Sequence, residues 1–333
     1  VLTSLLPFRV SAQVAINETH FPDSVFRAYV QENFDTDRNG SLSEAECEAV
    51  RSIDVSGEYD SLSSLSDLSG IENFPNLEEL ACDYTELTSL DVSQSPVLKA
   101  LFCLSTGITS LDVSRNPALV ELDCSNTELT SLDVSQNSAL ENLYCYNTGI
   151  TSLDVSQNLG LKFFDCHNTG LTSLDVSQHR SLLQFDCSST GITSLDVSNS
   201  PALMHLYVNQ TRLGHIDVSR NPNLISLRCQ DNTDLTSLDV SQNPKLERLY
   251  CSNTGLTSLD VSQNLALTYL EVNNTKLSHI DLSQNPALQT AQLQGNIHSV
   301  NAEVGGTYDL SLIPGFDLSR VTWNSNTEIE GSL

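Results

Sequence analysis

Residues 35–46 read Asp35-Thr36-Asp37-Arg38-Asn39-Gly40-Ser41-Leu42-Ser43-Glu44-Ala45-Glu46, with oxygen-bearing residues at every second position from Asp35 to Ser43 and a glutamate closing the run. A hard dication takes such a set. Asp35, Asp37 and Asn39 offer side-chain oxygens, Ser41 its carbonyl, Ser43 a held water, and Glu46 both carboxylate oxygens, while Gly40 allows the sharp turn. The chemistry implied is the binding of one calcium ion. With no second loop of the kind to pair with it, its expected role is structural, holding two helices at a fixed angle. The same residues would also serve a helix-linking turn in which Ser43 and Glu46 form a capping box.

Cysteine is the next reactive type. Of nine, eight recur at one place in a repeating pattern: Cys82, Cys103, Cys124, Cys145, Cys166, Cys187, Cys229 and Cys251. Val208, Val272 and Leu293 stand at the equivalent place elsewhere. Apolar replacements point to a buried slot that free cysteine fills as a small hydrophobe. Disulfides are the general expectation for an exported chain, and the spacing of neighbouring repeats does not forbid them. A column of buried thiols is the reading favoured here. Cys47 lies outside the column and is expected in a cap helix.

Aspartate forms a second column, from Asp91 through Asp154 to Asp281. Carboxylates stacked one strand spacing apart repel by roughly 1 kcal/mol each even in water. An Asx-type turn, in which Asp154 accepts the N–H of Ser156, offsets that most simply. A column of cations is the alternative, but the glycine-rich calcium nonapeptide is absent. Catalytic signatures are also missing: there is no Gly-x-Ser-x-Gly, no His-Glu-x-x-His and no phosphate loop. His215, His279 and His298 replace repeat Ser or Thr and read as surface residues. His167 and His205 read as part of a recognition surface rather than a catalytic pair. The chain is not expected to be an enzyme.

The element that positions these residues is a repeat. Leu-Thr-Ser-Leu-Asp-Val-Ser, or a near copy, begins at Leu87, Ile108, Leu129, Ile150, Leu171, Ile192, Leu213, Leu235, Leu256 and Leu277, always 21 residues apart except for one step of 22 at Asp231-Asn232-Thr233. A degenerate copy follows at Ile297-His298-Ser299-Val300. Between copies runs Leu-x-x-Leu-x-Cys-x-x-Thr-x-Leu, as in Leu140, Leu143, Cys145, Thr148 and Ile150, which is the leucine-rich-repeat signature with Thr where Asn is commoner. Alternation along a strand turns Leu143 and Cys145 inward and Tyr144 and Tyr146 outward. Rungs about 4.8 Å apart then make a parallel sheet. The return, carrying Leu153 and Val155, is too short for a helix and is expected as short extended or 3-10 pieces closed by turns such as Gln242-Asn243-Pro244.

Outside the repeats, Asp23 caps an expected helix with Val25, Phe26, Tyr29 and Val30 on one face. A second is expected from Ser43 to Ile53, so that helices flank the calcium loop as an EF-hand requires. Ser52 to Ser56 resembles half a rung, and the region is read as a plug for the open end of the array. Val1 to Phe8 resembles the end of a signal-peptide core, with Val10-Ser11-Ala12 as a cleavage site. Tyr308 to Leu312 and Arg320 to Trp323 are expected to be extended, and the chain is read as a fragment.

Composition narrows the functions. Forty-two Asp and Glu against 15 Lys and Arg give a formal charge of −27, which repels nucleic acid and anionic lipid. No apolar run reaches the roughly 20 residues of a membrane span. The repeats stop agreeing with one another at the outward strand positions, which are expected to line a concave face: Phe102 and Leu104, Tyr144 and Tyr146, Phe163 and His167, His205 and Tyr207, Arg228, Arg248 and Tyr250, and Tyr269. Aromatics and Arg are enriched at binding hot spots. Aromatics favour strands anyway, but that does not explain their presence at exposed positions. A protein partner is the first reading. A carbohydrate ligand, stacked on Tyr, and the targeting array of a larger exported enzyme are the alternatives.

The 21-residue rung with Cys in a Leu position resembles the internalin J-like leucine-rich-repeat surface proteins of Gram-positive bacteria, over roughly residues 65–300. The opening Ile16-Asn17-Glu18-Thr19-His20-Phe21-Pro22-Asp23 with its EF-hand-like loop is similar to N-terminal caps in gut-bacterial members. That resemblance implies a secreted or cell-surface interaction protein, with host adhesion as one use. The fold expected is a leucine-rich-repeat solenoid, an α/β-type right-handed superhelix with short parallel strands on its concave face and little helix in the repeats. A signal remnant (1–15), a helical cap (16–72), repeats (73–298) and a β cap or the start of a following domain (299–333) complete the organisation.

Overall fold

The structure is a computed structural model that describes residues 13–57, 61–295 and 299–302. The signal-like Val1–Ala12, most of the degenerate copy at 297–300, and the segments expected to be extended at 308–312 and 320–323 lie outside these residues or are described only as backbone. The chain divides into two compact bodies, residues 1–150 and 151–333.

The first body opens with β1 (Val14–Ala15), α1 (Ser24–Asn33), β2 (Ser41–Leu42) and α2 (Glu44–Ala49). Asp23 caps α1 as expected, accepting the N–H groups of Val25 and Phe26 at 2.7 and 3.1 Å, donors that the helix itself leaves unpaired. Phe26 and Val30, four residues apart, bury one face of α1. Phe26 meets Phe21 edge-on at 5.8 Å, and Phe34 meets Phe74 at 5.2 Å. The helix expected over Ser43–Ile53 is shorter. It stops at Ala49 because Val50 turns to extended backbone (φ −70°, ψ 123°), which frees Ile53 for β3 (Ser52–Asp54), where it opposes Leu80. The half rung at 52–56 is thus a strand of the sheet. Two 3-10 turns, Ser61–Ser64 and Ile71–Asn73, lead into β4 (Glu79–Ala81), β5 (Ala100–Phe102), β6 (Glu121–Asp123) and β7 (Asn142–Tyr144). Strands β3 to β7 are parallel and follow chain order.

The second body repeats the plan with β8 (Phe163–Asp165), β9 (Gln184–Asp186), β10 (His205–Tyr207), β11 (Ser226–Arg228), β12 (Arg248–Tyr250), β13 (Tyr269–Glu271), β14 (His279–Leu282), β15 (Thr290–Gln292) and β16 (Ser299–Ala302). Strands β8 to β13 and then β15 form one parallel sheet, while β14 and β16 pair separately.

Each rung is built the same way. The central Leu or Phe of the strand and the Cys two residues later are buried at 0 to 1% exposure from Leu80 to Cys251. The thiol faces the next rung: Cys82 Sγ lies 3.3 Å from the carbonyl of Phe102, Cys103 Sγ 3.4 Å from that of Asp123, and Cys229 Sγ 3.4 Å from that of Tyr250. Three residues on, Thr Oγ1 donates to the Cys carbonyl, at 2.7 Å for Thr148 and Cys145. In the 22-residue rung Asn232 takes this place and bonds the carbonyls of Val208 and Cys229. The residue before this Thr, or before Asn232, is left-handed, Asn147 at φ 53° being typical, and Asn or Asp at most of these places suits that region.

The return half is closed by turns as expected: from Leu87 to Leu277 it carries no 3-10 helix, and two successive turns do the work, with Ser95 N–H on the Val92 carbonyl and Leu98 N–H on that of Ser95. The expected extended piece is a strand at β14. The Asn between those turns is buried. Asn243, fully buried, donates from Nδ2 to the carbonyls of Val218 and Asn221 in the preceding rung, both at 2.9 Å. Asn116, Asn137, Asn221, Asn264 and Asn285 do the same.

Candidate functional site

The oxygen-rich loop is assembled by the elements around it. α1 ends two residues before Asp35, and α2 begins at Glu44, so the last positions of the loop already lie on a helix. Gly40 sits at φ 82°, a region side chains rarely adopt. Where a second loop would pair, β1 does instead: Val14 opposes Leu42, Ala15 opposes Ser41, and Ile16 N–H reaches the Gly40 carbonyl at 3.0 Å. A chain segment outside the loop thus completes the short ribbon.

Asp35 is 4% exposed and accepts the N–H groups of Asn39 and Gly40 at 3.0 and 2.9 Å. Asp37 accepts from Asn39, and Asn39 Oδ1 from the N–H of Ser41. Glu46 spans the loop. Its Oε1 accepts Thr36 N–H and Oγ1 at 2.8 and 2.5 Å, and its Oε2 accepts Ser43 N–H and Oγ at 2.8 and 2.9 Å. The Thr36 hydroxyl first, then Ser43, hold the Glu46 carboxyl down at about 2. Ligand oxygens of Asp35, Asp37 and Glu46 fall within 4.8 Å of one another. The Ser43–Glu46 capping box is formed as well. The residues present therefore fit an oxygen-ligated dication, with the capping box as the arrangement of Glu46 when Thr36 and Ser43 are its partners.

The outward strand residues are described body by body. In the first, Phe102, Leu104, Tyr144 and Tyr146 are half-buried on the exposed strand face. Asp83 and Asp123 share that face. Burial pushes both carboxyls up, Asp83 to about 6, with the charge of Asp123 adding to the burial effect at Asp83.

In the second body the structure brings four of the expected residues into one column. Tyr207, Arg228 and Tyr250 are register partners on β10, β11 and β12. The Arg228 guanidinium carbon lies 4.9 Å from the Tyr207 ring centroid and 5.0 Å from that of Tyr250, a cation between two π faces. Tyr250 then meets Tyr269 at 4.9 Å, tilted by 33°. His205 leans on Tyr207 at 6.3 Å, and burial first, then Arg248, lower its pKa. Arg228 and Arg248 are exposed, and among the described residues no carboxylate lies within ion-pairing distance of either. Phe163, at 36% exposed, and His167 belong to β8 and its end, apart from this column.

One grouping escaped the sequence reading. Asp165, His167 and Asp186 place ligand atoms within 4.8 Å of one another on the same face. His167 Nδ1 lies 2.7 Å from Asp165 Oδ1, and Asp186 Oδ1 accepts Ser188 N–H and Oγ at 2.8 and 2.6 Å. Burial, then Asp186, raises the Asp165 carboxyl. The signal was the Asp-Cys pair repeated in successive rungs, at Asp165-Cys166 and Asp186-Cys187.

Short parallel strands, a buried Cys and Thr hydrogen bonding at one period define a leucine-rich-repeat protein, and solved structures bear this out. The functional domain of InlJ from Listeria monocytogenes, described as including a cysteine ladder, matches at 31% identity over 86% of this chain and 78% of that one, with a TM-score of 0.52. The chain belongs to the internalin family of leucine-rich-repeat proteins, of the cysteine-ladder type seen in InlJ. Internalin J of Listeria monocytogenes serotype 4b is 33% identical over 75 residues, 22% of this chain and 8% of that protein, so the match spans a small part of that relative's length. An internalin, InlF of Listeria monocytogenes, shares the fold at TM-score 0.74 and 17% identity, covering 92% and 97% of the two chains. No protein-family profile matches the chain. No helix among the described residues is long and apolar enough to cross a membrane.

Proposed function

We propose that the chain is a secreted or cell-surface interaction protein that holds a protein partner on its exposed strand face, with β10 to β13 as the centre. The observation that carries this reading is the Tyr207–Arg228–Tyr250–Tyr269 column. Aromatic and Arg side chains are ordered on rigid strands before any partner arrives, so binding them costs little further side-chain entropy. The structural relationship to a chain of the LRIM1/APL1C complex, at TM-score 0.58, is consistent with an interaction role.

Carbohydrate stacking on Tyr is the weaker reading. Tyr250 has Arg228 and Tyr269 against its ring, so its faces are engaged within the column and its edge and hydroxyl are left for a partner. A calcium ion at Asp35, Asp37, Asn39, Ser41, Ser43 and Glu46 belongs to the same reading as a structural ion of the cap. When bound it supplies a fixed charge that ties the ends of α1 and α2. Catalysis has no part in it.

The test is a parallel screen of the wild type and a Tyr207→Ala/Tyr250→Ala double variant against an array of recombinant extracellular protein domains and an array of glycans. The proposal expects a protein hit that the double variant loses while its circular dichroism is unchanged. Hits confined to the glycan array, or protein hits indifferent to both substitutions, overturn it.

A further inference from the structure

The molecule carries a formal charge of −27, and Arg228 and Arg248 stand exposed on adjacent strands with no carboxylate within ion-pairing distance among the described residues. Arg38, Arg115, Arg180, Arg212 and Arg220 are likewise outside any ion pair there. Arg228 is set apart from them by a ring on either side, at 4.9 and 5.0 Å.

The consequence is chemical. A guanidinium has two flat faces and a rim of five donors in one plane. With Tyr207 on one side and Tyr250 on the other, the N–H donors turned away from both rings are the ones left to meet a partner, and the two rings restrict where the guanidinium can swing. A planar fork of N–H donors matches a carboxylate in two parallel hydrogen bonds, which a lysine cannot reproduce. Arg248 lies one strand away and two residues back along it, on β12 in register with Ser226 of β11, and adds a second positive charge. His205 next to Tyr207 is held toward its neutral form, so it contributes a hydrogen-bonding ring rather than a third cation.

We infer that the rim of Arg228, set between Tyr207 and Tyr250 and flanked by Arg248, is the docking position for one aspartate or glutamate side chain of the protein partner. This rests on the proposed role of the strand face and adds the chemistry that the face selects. The charge of the whole chain limits the partner further. An acidic tract would be repelled over about a Debye length, roughly 8 Å at physiological salt. The carboxylate must therefore come singly, from a segment that is otherwise neutral or basic. Long-range attraction brings such a segment in, and Arg228 fixes its register.

The experiment selects phage-displayed random linear peptides on the intact wild-type chain and, in parallel, on Arg228→Gln and Arg228→Lys. Enriched peptides are resynthesised with each acidic residue as Glu or Gln and titrated by fluorescence anisotropy. The inference expects wild-type selections to converge on a single Asp or Glu among neutral and basic residues. Replacing that Glu by Gln should weaken binding at least tenfold on the wild type and less than twofold on Arg228→Gln, with Arg228→Lys in between. A consensus with no acid, or acid dependence that survives in Arg228→Gln, overturns the inference while leaving the strand face intact as a binding surface. Peptides whose binding ignores Tyr207→Ala and Tyr250→Ala overturn the proposed face itself. If no peptide is enriched and uronic acid oligosaccharides bind in an Arg228-dependent way, the carboxylate comes from a sugar and the assignment to a protein side chain is wrong.

Discussion

Asp154 Oδ1 accepts the backbone N–H of Ser156 at 2.8 Å, and the same two-residue turn recurs between Asp91 and Ser93, Asp112 and Ser114, and on to Asp281 and Ser283. An acidic column on the return half is thus tied to backbone donors, one turn per rung. These bonds favour the charged form and lower the pKa of Asp91, Asp112, Asp133, Asp175, Asp217 and Asp239. The strand face behaves oppositely, with Asp83, Asp123 and Asp165 raised by burial.

The two sets predict a stability maximum in mildly acidic solution. A depressed carboxyl stabilises the fold fully above its unfolded value, about 4, and that contribution is lost as pH falls through the lower folded value. A raised carboxyl works the other way: protonation favours the fold, and stability is lost as pH rises from about 4 through about 6 for Asp83. Scanning calorimetry across this range should give the highest Tm near pH 5. Asp83→Asn, which can still accept the Leu104 N–H, should flatten the decline above pH 5. A Tm that climbs steadily to pH 8 would show that the strand-face carboxylates are not burdened as described.

Calcium should stabilise the cap. A ligand at a hundredfold excess over its dissociation constant stabilises the folded state by about 2.7 kcal/mol. Chelator should therefore lower the Tm of the wild type and leave Asp35→Ala unchanged, as read by calorimetry. Equal chelator sensitivity in the two proteins would mean that residues 35–46 form a turn closed by the Ser43–Glu46 box and nothing more.

The column thiols should be inert in the native protein. Burial pushes Cys229 up to about 12 and raises Cys82, Cys103, Cys124, Cys187 and Cys251 far above the usual thiol range, so no thiolate is available near neutrality. Iodoacetamide at pH 8 should label almost none of them before denaturation and most of them after it, as counted by mass spectrometry. Cys103→Ala should cost about 1–3 kcal/mol, whereas Cys187→Val should be nearly neutral because Val208 and Val272 already fill the same slot. Thiols found paired after denaturing, non-reducing alkylation would replace the ladder with disulfides.

Asn243 should matter more than its place in a turn suggests. Removing its Nδ2 takes away the bonds that tie it to the carbonyls of Val218 and Asn221, which keep only the turn N–H groups of Asn221 and Leu224. Each lost hydrogen bond contributes about 0.5–1.5 kcal/mol net, so Asn243→Ala should lower the urea-derived stability by about 1–3 kcal/mol. A loss below about 0.5 kcal/mol, the scale of an ordinary surface change, would mean that water replaces the amide.

Periodicity explains what could be read without a structure. A period of 21 fixes which residues alternate along each strand, so the burial of Leu143 and Cys145 and the outward turn of Tyr144 followed directly. The Asx turns were legible for the same reason, since each depends on residues two apart. The turn at Gln242-Asn243-Pro244 was legible too, but nothing local says that the Asn243 amide points inward. The second helix ends short of what the spacing predicts: Cys47, Val50 and Ile53 are spaced for a helix face, whereas Ile53 opposes Leu80 in the sheet. The Tyr207–Arg228–Tyr250 stack was half visible: the residues were identified as outward, but their mutual contact depends on side-chain directions across three strands.

The central claim is that a partner docks on the strand face of β10 to β13, and one comparison tests it most directly. Affinity for a protein domain recovered from the ectodomain array should be measured by surface plasmon resonance for the wild type, Tyr250→Ala and Ser258→Ala, the last an exposed change on the return half. The account predicts a loss of about 2 kcal/mol or more, roughly thirtyfold, for Tyr250→Ala with the fold retained, and no measurable change for Ser258→Ala. A silent Tyr250→Ala beside a damaging Ser258→Ala would place the partner on the opposite side of the rungs and contradict the account.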